Sequence, residues 1–280
     1  MKEFERKPAV SGIFYPSKLE ELLSSIKSLF LDRKFGPGNL PPSRDKGKIF
    51  GLLSPHAGYV YSGAVAANGF YEISSSSFDT VVIIGPNHYG IGSDIATIEG
   101  GTWMTPIGNM RINEHLTHEI ADNWDVVKFD SLAHSRDHCI EVQIPFLQFI
   151  NKGLTIVPII LGKQDKGTAM ALGKCLAEII KKKNVMLIAS SDLTHYESND
   201  EAYEKDTKLI SSILSINIPE FYSVLHKFGV TACGYGAIGA VMAAAKEMGA
   251  STGKLLRYAT SGDVIGDTAS VVGYSSIAFV

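Results

Sequence analysis

The stretch KIFGLLSPHAGYVYSG, Lys48 to Gly63, sets the pattern on which the fold depends. An apolar run, Ile49 to Leu53, ends at Ser54-Pro55, presents His56, and passes through a Gly-bearing turn into small residues. A short apolar run bounded by turn residues reads as a buried strand, which puts His56 just past a strand end. The arrangement recurs twice. Thr80 to Ile84 runs into Gly85-Pro86-Asn87-His88, and Val185 to Ala189 runs into Ser190-Ser191-Asp192-Leu193-Thr194-His195. In open α/β sheets the ligand crevice lies just beyond the carboxyl ends of parallel strands. Three such strands, each delivering one of only eight histidines, predict a site at that edge.

Outward from these strands the chain alternates strand and helix. Ser17 is expected to cap a helix over 19–31, with Glu20 completing a capping box. Residues 1–17 read as extended and turn-rich, and 32–47 as a polar loop. A short helix is expected over 64–71, paired strands over 95–113, an Asn113-capped helix from 114 to about 123, and a strand over 125–130. Residues 133–152 hold a helix that starts late or kinks at Pro145. TIVPIIL (155–161) reads as a buried strand whose Pro158 suggests an edge or a bulge. Helices follow over 165–182, 200–215 and 218–228, then a small-residue segment, Thr231 to Gly249, and a strand pair over 255–260 and 270–280. This order predicts one three-layer α/β/α domain over 1–280 with a central mixed, largely parallel sheet.

At 280 residues, with 45% hydrophobic and 20% charged, the chain can bury a sizeable core, which argues against disorder. A net charge of −3 and scattered lysines argue against nucleic acid. The one triplet, Lys181-Lys182-Lys183, suits the negative end of a helix. No apolar run approaches the ~18 residues of a membrane span, and MKEFERKPAV carries no signal-peptide core. Cys139, Cys175 and Cys233 form no CxxC pair and no even framework, so a reduced, cytoplasmic setting is expected.

His56 and His88, in matched positions, suit metal ligation, for which neutral imidazole on a rigid element is well adapted. Each could equally bind backbone at the start of its loop. Cys233 lies in VTACGYGAIGAVMAAA, where glycines admit close approach and a following helix N-terminus would stabilise a thiolate. Alternatively it is a small buried residue, as Cys175 is expected to be. Asp192 and His195, three apart, share a face if the strand turns directly into a helix, which would suit a general acid/base pair. His134, His138 and Glu141 would share another helical face and form either a separate metal set or support for the pocket. Tyr59 could line it. The loop Ser261-Gly262-Asp263 with Asp267 reads as turn chemistry.

With these residues in place the chain resembles the Memo family. The resemblance is carried by KPAVSGIFYP (7–16), SPHAGYVYSG (54–63), GPNHYG (85–90), the TPIG segment after Trp103, DHCIEVQIPFL (137–147), SSDLTH (190–195), TACGYGAIG (231–239), and SGD with VVGY (261–274). That family is similar in fold to the class III extradiol dioxygenases, non-haem iron enzymes that open catechol rings. The resemblance implies a metal site of His56, His88 and Cys233, with Asp192 and His195 in the adjoining pocket. It also implies iron or copper, redox chemistry and, in animal relatives, signalling partners. Those dioxygenases place a carboxylate where this chain has Cys233. A thiolate is softer and shifts preference towards copper or zinc.

Three functions follow as expectations. The first is a metal-dependent, dioxygenase-like oxidoreductase acting on a small molecule. The second is a hydrolase with Cys233 as nucleophile and His195 and Asp192 as base and orienter. The third is a binding or signalling module in which the same pocket holds a peptide or anionic group.

Overall fold

The computed structural model describes residues 4–42 and 48–280. The sequence readings that fall on residues 1–3 and 43–47 lie outside the described residues. The strands are β1 (Glu5–Arg6), β2 (Gly51–Ser54), β3 (Thr80–Pro86), β4 (Ile95–Thr97), β5 (Thr102–Thr105) and β6 (Gly108–Ile112). They continue with β7 (Lys128–Phe129), β8 (Thr155–Leu161), β9 (Val185–Ser190), β10 (His195–Glu197), β11 (Gly253–Thr260) and β12 (Val271–Phe279). The helices are α1 (Leu19–Leu31), α2 (Tyr59–Ile73), α3 (Glu114–Asn123), α4 (Ile144–Ile150) and α5 (Lys166–Ile180). After them come α6 (Asn199–Leu214), α7 (Ile218–Phe228), α8 (Tyr235–Met248) and the short α9 (Ser261–Ile265).

The sheet runs β1-β5-β6-β8-β3-β9-β2-β12-β10, with β11 on β12 and β4 beside β8. Its centre, β6-β8-β3-β9-β2, is parallel, while β12 pairs antiparallel to β2 and β5 antiparallel to β6. The expected single α/β domain with a mixed, largely parallel sheet is what forms. Side chains along β3 alternate between two cores, as a period of two requires. Val82 and Ile84 join the helices α3 and α5 to α8 on one face. Val81 and Ile83 join α1, α2 and α4 on the other. Burial on both faces explains why these strands read as unbroken apolar runs.

Several local expectations change. The first turn of α1 has Lys18 at its N-cap with no side-chain hydrogen bond, so the Ser17–Glu20 box does not form. Helix α2 begins at Tyr59, not Ala64, directly after the turn at Gly58. Residues 133–140 form turns and bends, a 3-10 turn follows over Glu141–Gln143, and α4 begins only at Ile144, with Pro145 in its first turn where a missing N–H costs nothing. Strand β8 is central, not an edge. Its partner on one side changes from β6 at Ile156 to β4 at Ile159, and Pro158 falls in the gap, where no N–H is needed. The run of small residues in α8 serves a close helix crossing: a Cβ added at Gly173 of α5 would meet Ala240 O of α8 at 2.4 Å.

The N-terminal segment is clipped to the domain by one carboxylate. Glu141 accepts the Ala9 and Val10 N–H groups and the Tyr15 hydroxyl, at 2.8, 3.0 and 2.7 Å, and pairs with the buried Arg6 guanidinium. Arg6 also donates to the carbonyls of His134 and Asp137 and lies over the Trp103 ring. Removing one member of a buried pair strands the other charge. Glu141→Gln is therefore expected to cost roughly 3–5 kcal/mol in urea unfolding. A loss below about 1 kcal/mol would mean the clip contributes little.

Candidate metal centre

Strands β3, β9 and β2 lie side by side and parallel, so their carboxyl ends open on one edge. His56 follows β2, His88 follows β3, and Ser190 ends β9 between them. Each imidazole is fixed at its backbone and its ring. The His56 N–H donates to Asp192 Oδ1 at 2.8 Å, and His56 Nδ1 lies 2.9 Å from Ser190 Oγ. Ser190 gives its only proton to Cys139 O at 2.6 Å and accepts Gln143 Nε2–H at 2.8 Å. The second Gln143 proton goes to Pro55 O at 2.9 Å. With the serine proton committed, His56 Nδ1–H must be the donor, which leaves Nε2 a lone pair.

The same logic sets His88. Asp137 accepts the His88 N–H at Oδ2, 2.7 Å, and Nδ1–H at Oδ1, 3.0 Å. A carboxylate on Nδ1 fixes the tautomer and orientation of an imidazole whose Nε2 points elsewhere, as behind metal-bound histidines. His195 is held at Nδ1 by Leu193 O, 2.7 Å, and Thr231 O, 3.0 Å. No helix follows β9. Residues 191–194 form a loop leading into β10, so the shared helical face expected for Asp192 and His195 is absent. Backbone carbonyls, rather than Asp192, orient the His195 ring.

Three imidazoles converge. One ring nitrogen each from His56, His88 and His138 lies within 4.8 Å of the others, a set that could hold a metal ion. Their ring centres stand 5.1, 5.3 and 4.5 Å apart. Cys233, just before α8, puts Sγ 3.1 Å from His56 Nε2 and accepts the Asp192 N–H at 3.3 Å. A second group, His88, Asp137 and Cys139, is held together by hydrogen bonds within the protein: the Cys139 N–H reaches Asp137 Oδ1 and its thiol reaches Pro86 O.

Burial, then the neighbouring His88, pushes the His56 imidazole well below its usual range. His138 falls to about 3 through burial, then His56 and His88. Burial raises the Asp137 carboxyl, but the hydrogen bond and charge of His88, with two backbone N–H groups, outweigh it and hold the group below its usual value. Burial and then Asp192 raise the Cys233 thiol, and burial raises Asp192. The balance favours the neutral imidazole at His56 and His138, the form that ligates metal.

Other candidates are committed elsewhere. Glu141 serves the N-terminal clip. The Tyr59 hydroxyl donates to Val142 O at 2.8 Å, at the edge of the core. His134 is buried beside Trp103 with Nε2 3.2 Å from Ala96 O, so the helical set His134, His138, Glu141 does not assemble. Cys175 is half-buried on α5 rather than in the core. Asp263 closes a capping box with Thr260, which is the turn chemistry expected of that loop. Ser190, Gln143 and Asp137, which orient the His56 and His88 rings, were not singled out from sequence. The one available signal was their position within SSDLTH and DHCIEVQ, adjoining the histidines.

Residues 6–278 match the family described as Memo-like protein. The chain belongs to the Memo family. A MEMO1 family protein of Nitrosopumilus maritimus is 48% identical over 276 residues, covering 98% of this chain and 99% of the relative. One from Methanocaldococcus jannaschii is 43% identical over 281 residues, covering 97% of each. Among solved structures, an uncharacterised protein of Escherichia coli K12, JW3007, superposes with a TM-score of 0.55 at 12% identity, over 82% of this chain and 99% of that one. At that identity the likeness speaks for the fold alone. No helix among the described residues of this Memo protein is long and apolar enough to cross a membrane.

The buried imidazoles make stability pH-dependent. His134, fully buried, titrates at about 4, chiefly through burial, against about 6.5 when unfolded. Between those values the unfolded chain binds more protons, so this contribution is intact above pH 6.5 and lost as pH falls towards 4. Asp206, raised by burial to about 6, acts in the opposite sense, losing stability as pH rises through 6. The difference between wild type and His134→Gln isolates the histidine. Urea unfolding of the metal-free chain should show the pH 7 to 4.5 decline shrink in the variant, by on the order of 2 kcal/mol. Parallel declines would refute the assignment.

Proposed function

We propose that this Memo protein is a metal-dependent, oxidoreductase-like protein whose centre at His56 and His88, with Cys233 beside His56, holds one iron or copper ion. One observation carries the reading: His56 and His88, on the strand ends that flank β9, have Nδ1–H committed to the protein, which directs both Nε2 lone pairs elsewhere, that of His56 towards Cys233 Sγ at 3.1 Å. The donor set fits such an ion, since imidazole suits iron, copper and zinc while thiolate favours softer metals. When bound, the ion would supply Lewis acidity or electron exchange for a small molecule. His195 has Nδ1–H held by two carbonyls, so its Nε2 is the atom that would pass a proton to or from a bound molecule. Asp192 fixes the His56 backbone and supplies the N–H that meets Cys233. Elemental analysis of purified protein tests the reading. Metal near one per chain is expected in wild type and loss in His56→Ala; equal content in both would sink it. Asp137→Asn, which loosens His88, should weaken metal binding roughly 10–100-fold.

The 3.1 Å contact between Cys233 Sγ and His56 Nε2 favours a second reading, a thiol–imidazole nucleophile with His56 as base in place of His195. Burial works against it, because it keeps the thiol protonated. Iodoacetamide is expected to label Cys233 at least roughly tenfold more slowly than free cysteine at pH 7.5. Faster labelling that chelators leave unchanged would favour the nucleophile.

A further inference from the structure

We infer that Asp206, on α6 and outside the metal centre, is the positioning residue of the loop 191–194 and, through that loop, of His195. The inference takes the use made of His195 from the reading above, and the rest from its own geometry. Asp206 is fully buried, and its neighbour in sequence, Lys205, pairs with Glu197 instead. Burying a carboxylate without a cation is costly unless hydrogen bonds replace its water. Here they do. Oδ1 accepts the Thr194 hydroxyl at 2.7 Å and the Thr194 N–H at 3.1 Å, and Oδ2 accepts the Tyr258 hydroxyl at 2.8 Å. Donors from the loop and from β11 thus meet on one side chain of α6. A Cβ added at Gly273 would collide with Oδ2, so β12 leaves room that the carboxylate fills.

Residues 191–194 have no regular structure. Two backbone bonds tie the end of the loop to β12: Leu193 N–H to Gly273 O and Gly273 N–H to Thr194 O, both 2.8 Å. Asp206 takes the groups of Thr194 that those bonds leave over, its N–H and its hydroxyl. Leu193 O, one residue before this anchor, is one of the two carbonyls that hold His195 Nδ1. A shift of Thr194 would carry that carbonyl, and the ring bonded to it, away from Thr231. Asp206 therefore acts on His195 without touching it.

The anchor also carries a reporter. Burial raises the Asp206 carboxyl to about 6, while the bonds from Thr194 and Tyr258 and the charge of His195 pull the other way. The titratable groups facing it are His195 of β10 and Tyr258 of β11, with Tyr203 and Asp263 behind Tyr258; Gly273 of β12 adds none. An N–H bonded to a carboxylate changes its environment when that carboxylate takes a proton, so Thr194 should register the ionisation.

The test uses the full, metal-free chain, so its outcome does not depend on whether the centre takes up an ion. Amide hydrogen exchange at pH 7.5 compares wild type, Asp206→Ala and Asp206→Asn. In Asp206→Ala, exchange at Thr194 and His195 should rise at least about tenfold more than at Val82 of β3, the effect of losing bonds to a charged acceptor in a locally opening segment. Asp206→Asn, whose amide oxygen can keep both Thr194 bonds, should restore most of the protection. Equal rises at all three amides, or no rise at Thr194, would overturn the inference. Between pH 5 and 7.5 the Thr194 amide proton shift should titrate with a midpoint near 6 in wild type and in His195→Gln, and stay flat in Asp206→Asn. A flat wild-type curve, or one abolished by His195→Gln and kept by Asp206→Asn, would overturn it as well. Should Asp206→Ala fail to fold, the titration decides alone.

Discussion

Parallel pairing of β2 and β3 with the central β9 is the constraint from which the centre follows. Leu53 pairs with Ala189, Ser54 with Ser190, and Ile84 with Ala189. Because side chains alternate at a period of two, a one-residue slip in β9 would turn Ser190 from the His56 side to the opposite face. It would also place Ile188 or Ser190 in the wrong core. The hydrophobic pattern that fixes the register therefore fixes the hydrogen bond to His56. Fold stability and site geometry are set here by the same residues, through burial on both faces of the sheet.

The polar layer above that edge is built from groups with little choice. Ser190 Oγ is surrounded by a carbonyl, an amide N–H and an imidazole, and a single arrangement of protons satisfies all three. Asp137 receives His88 twice and the Cys139 N–H once, which is close to the full acceptor capacity of a carboxylate. Buried networks rigidify as their members are satisfied; in this layer Ser190 and Asp137 are, while Gln143 Oε1 is left without a partner. Imidazoles held by such a network would need little reorganisation to meet an ion, which is what a functional constellation requires of its supporting residues.

The strand skeleton and the histidines at its carboxyl edge were legible in the sequence because burial on both faces leaves unbroken apolar runs, and turn residues mark their ends. Helix boundaries were legible where a side chain signals them, as Asn113 does by accepting the Leu116 N–H. They were not legible where backbone geometry decides, as at Gly58. Pro158 misled because a proline reports only a missing donor. It says nothing of whether a strand has no neighbour or is changing neighbours. The spacing of Asp192 and His195 misled in a related way, since three residues apart describes one face only if the backbone is helical. Ser190, Gln143 and Asp137 act through hydrogen bonds across 47 to 134 positions of sequence, and such contacts leave no periodicity to read.

Separating Asp192 from His195 changes what each residue can contribute. A carboxylate bonded to Nδ1 of an imidazole fixes its tautomer and orientation, and Asp137 is placed to do this for His88. Carbonyl acceptors, which hold His195, fix the tautomer without adding a full negative charge. The two histidines therefore enter the site with different characters. His88 has its ring backed by charge and fixed on a strand end, which suits a ligand. His195 sits on the short bulged strand β10, half-exposed, with Nδ1 turned to backbone carbonyls. Asp192, released from that pairing, holds instead the backbone of one candidate ligand, His56, and offers its own N–H to the sulfur of Cys233. The loop 191–194 thus ties β2 and the start of α8 to a common point, which explains why a short segment without regular structure is so deeply buried.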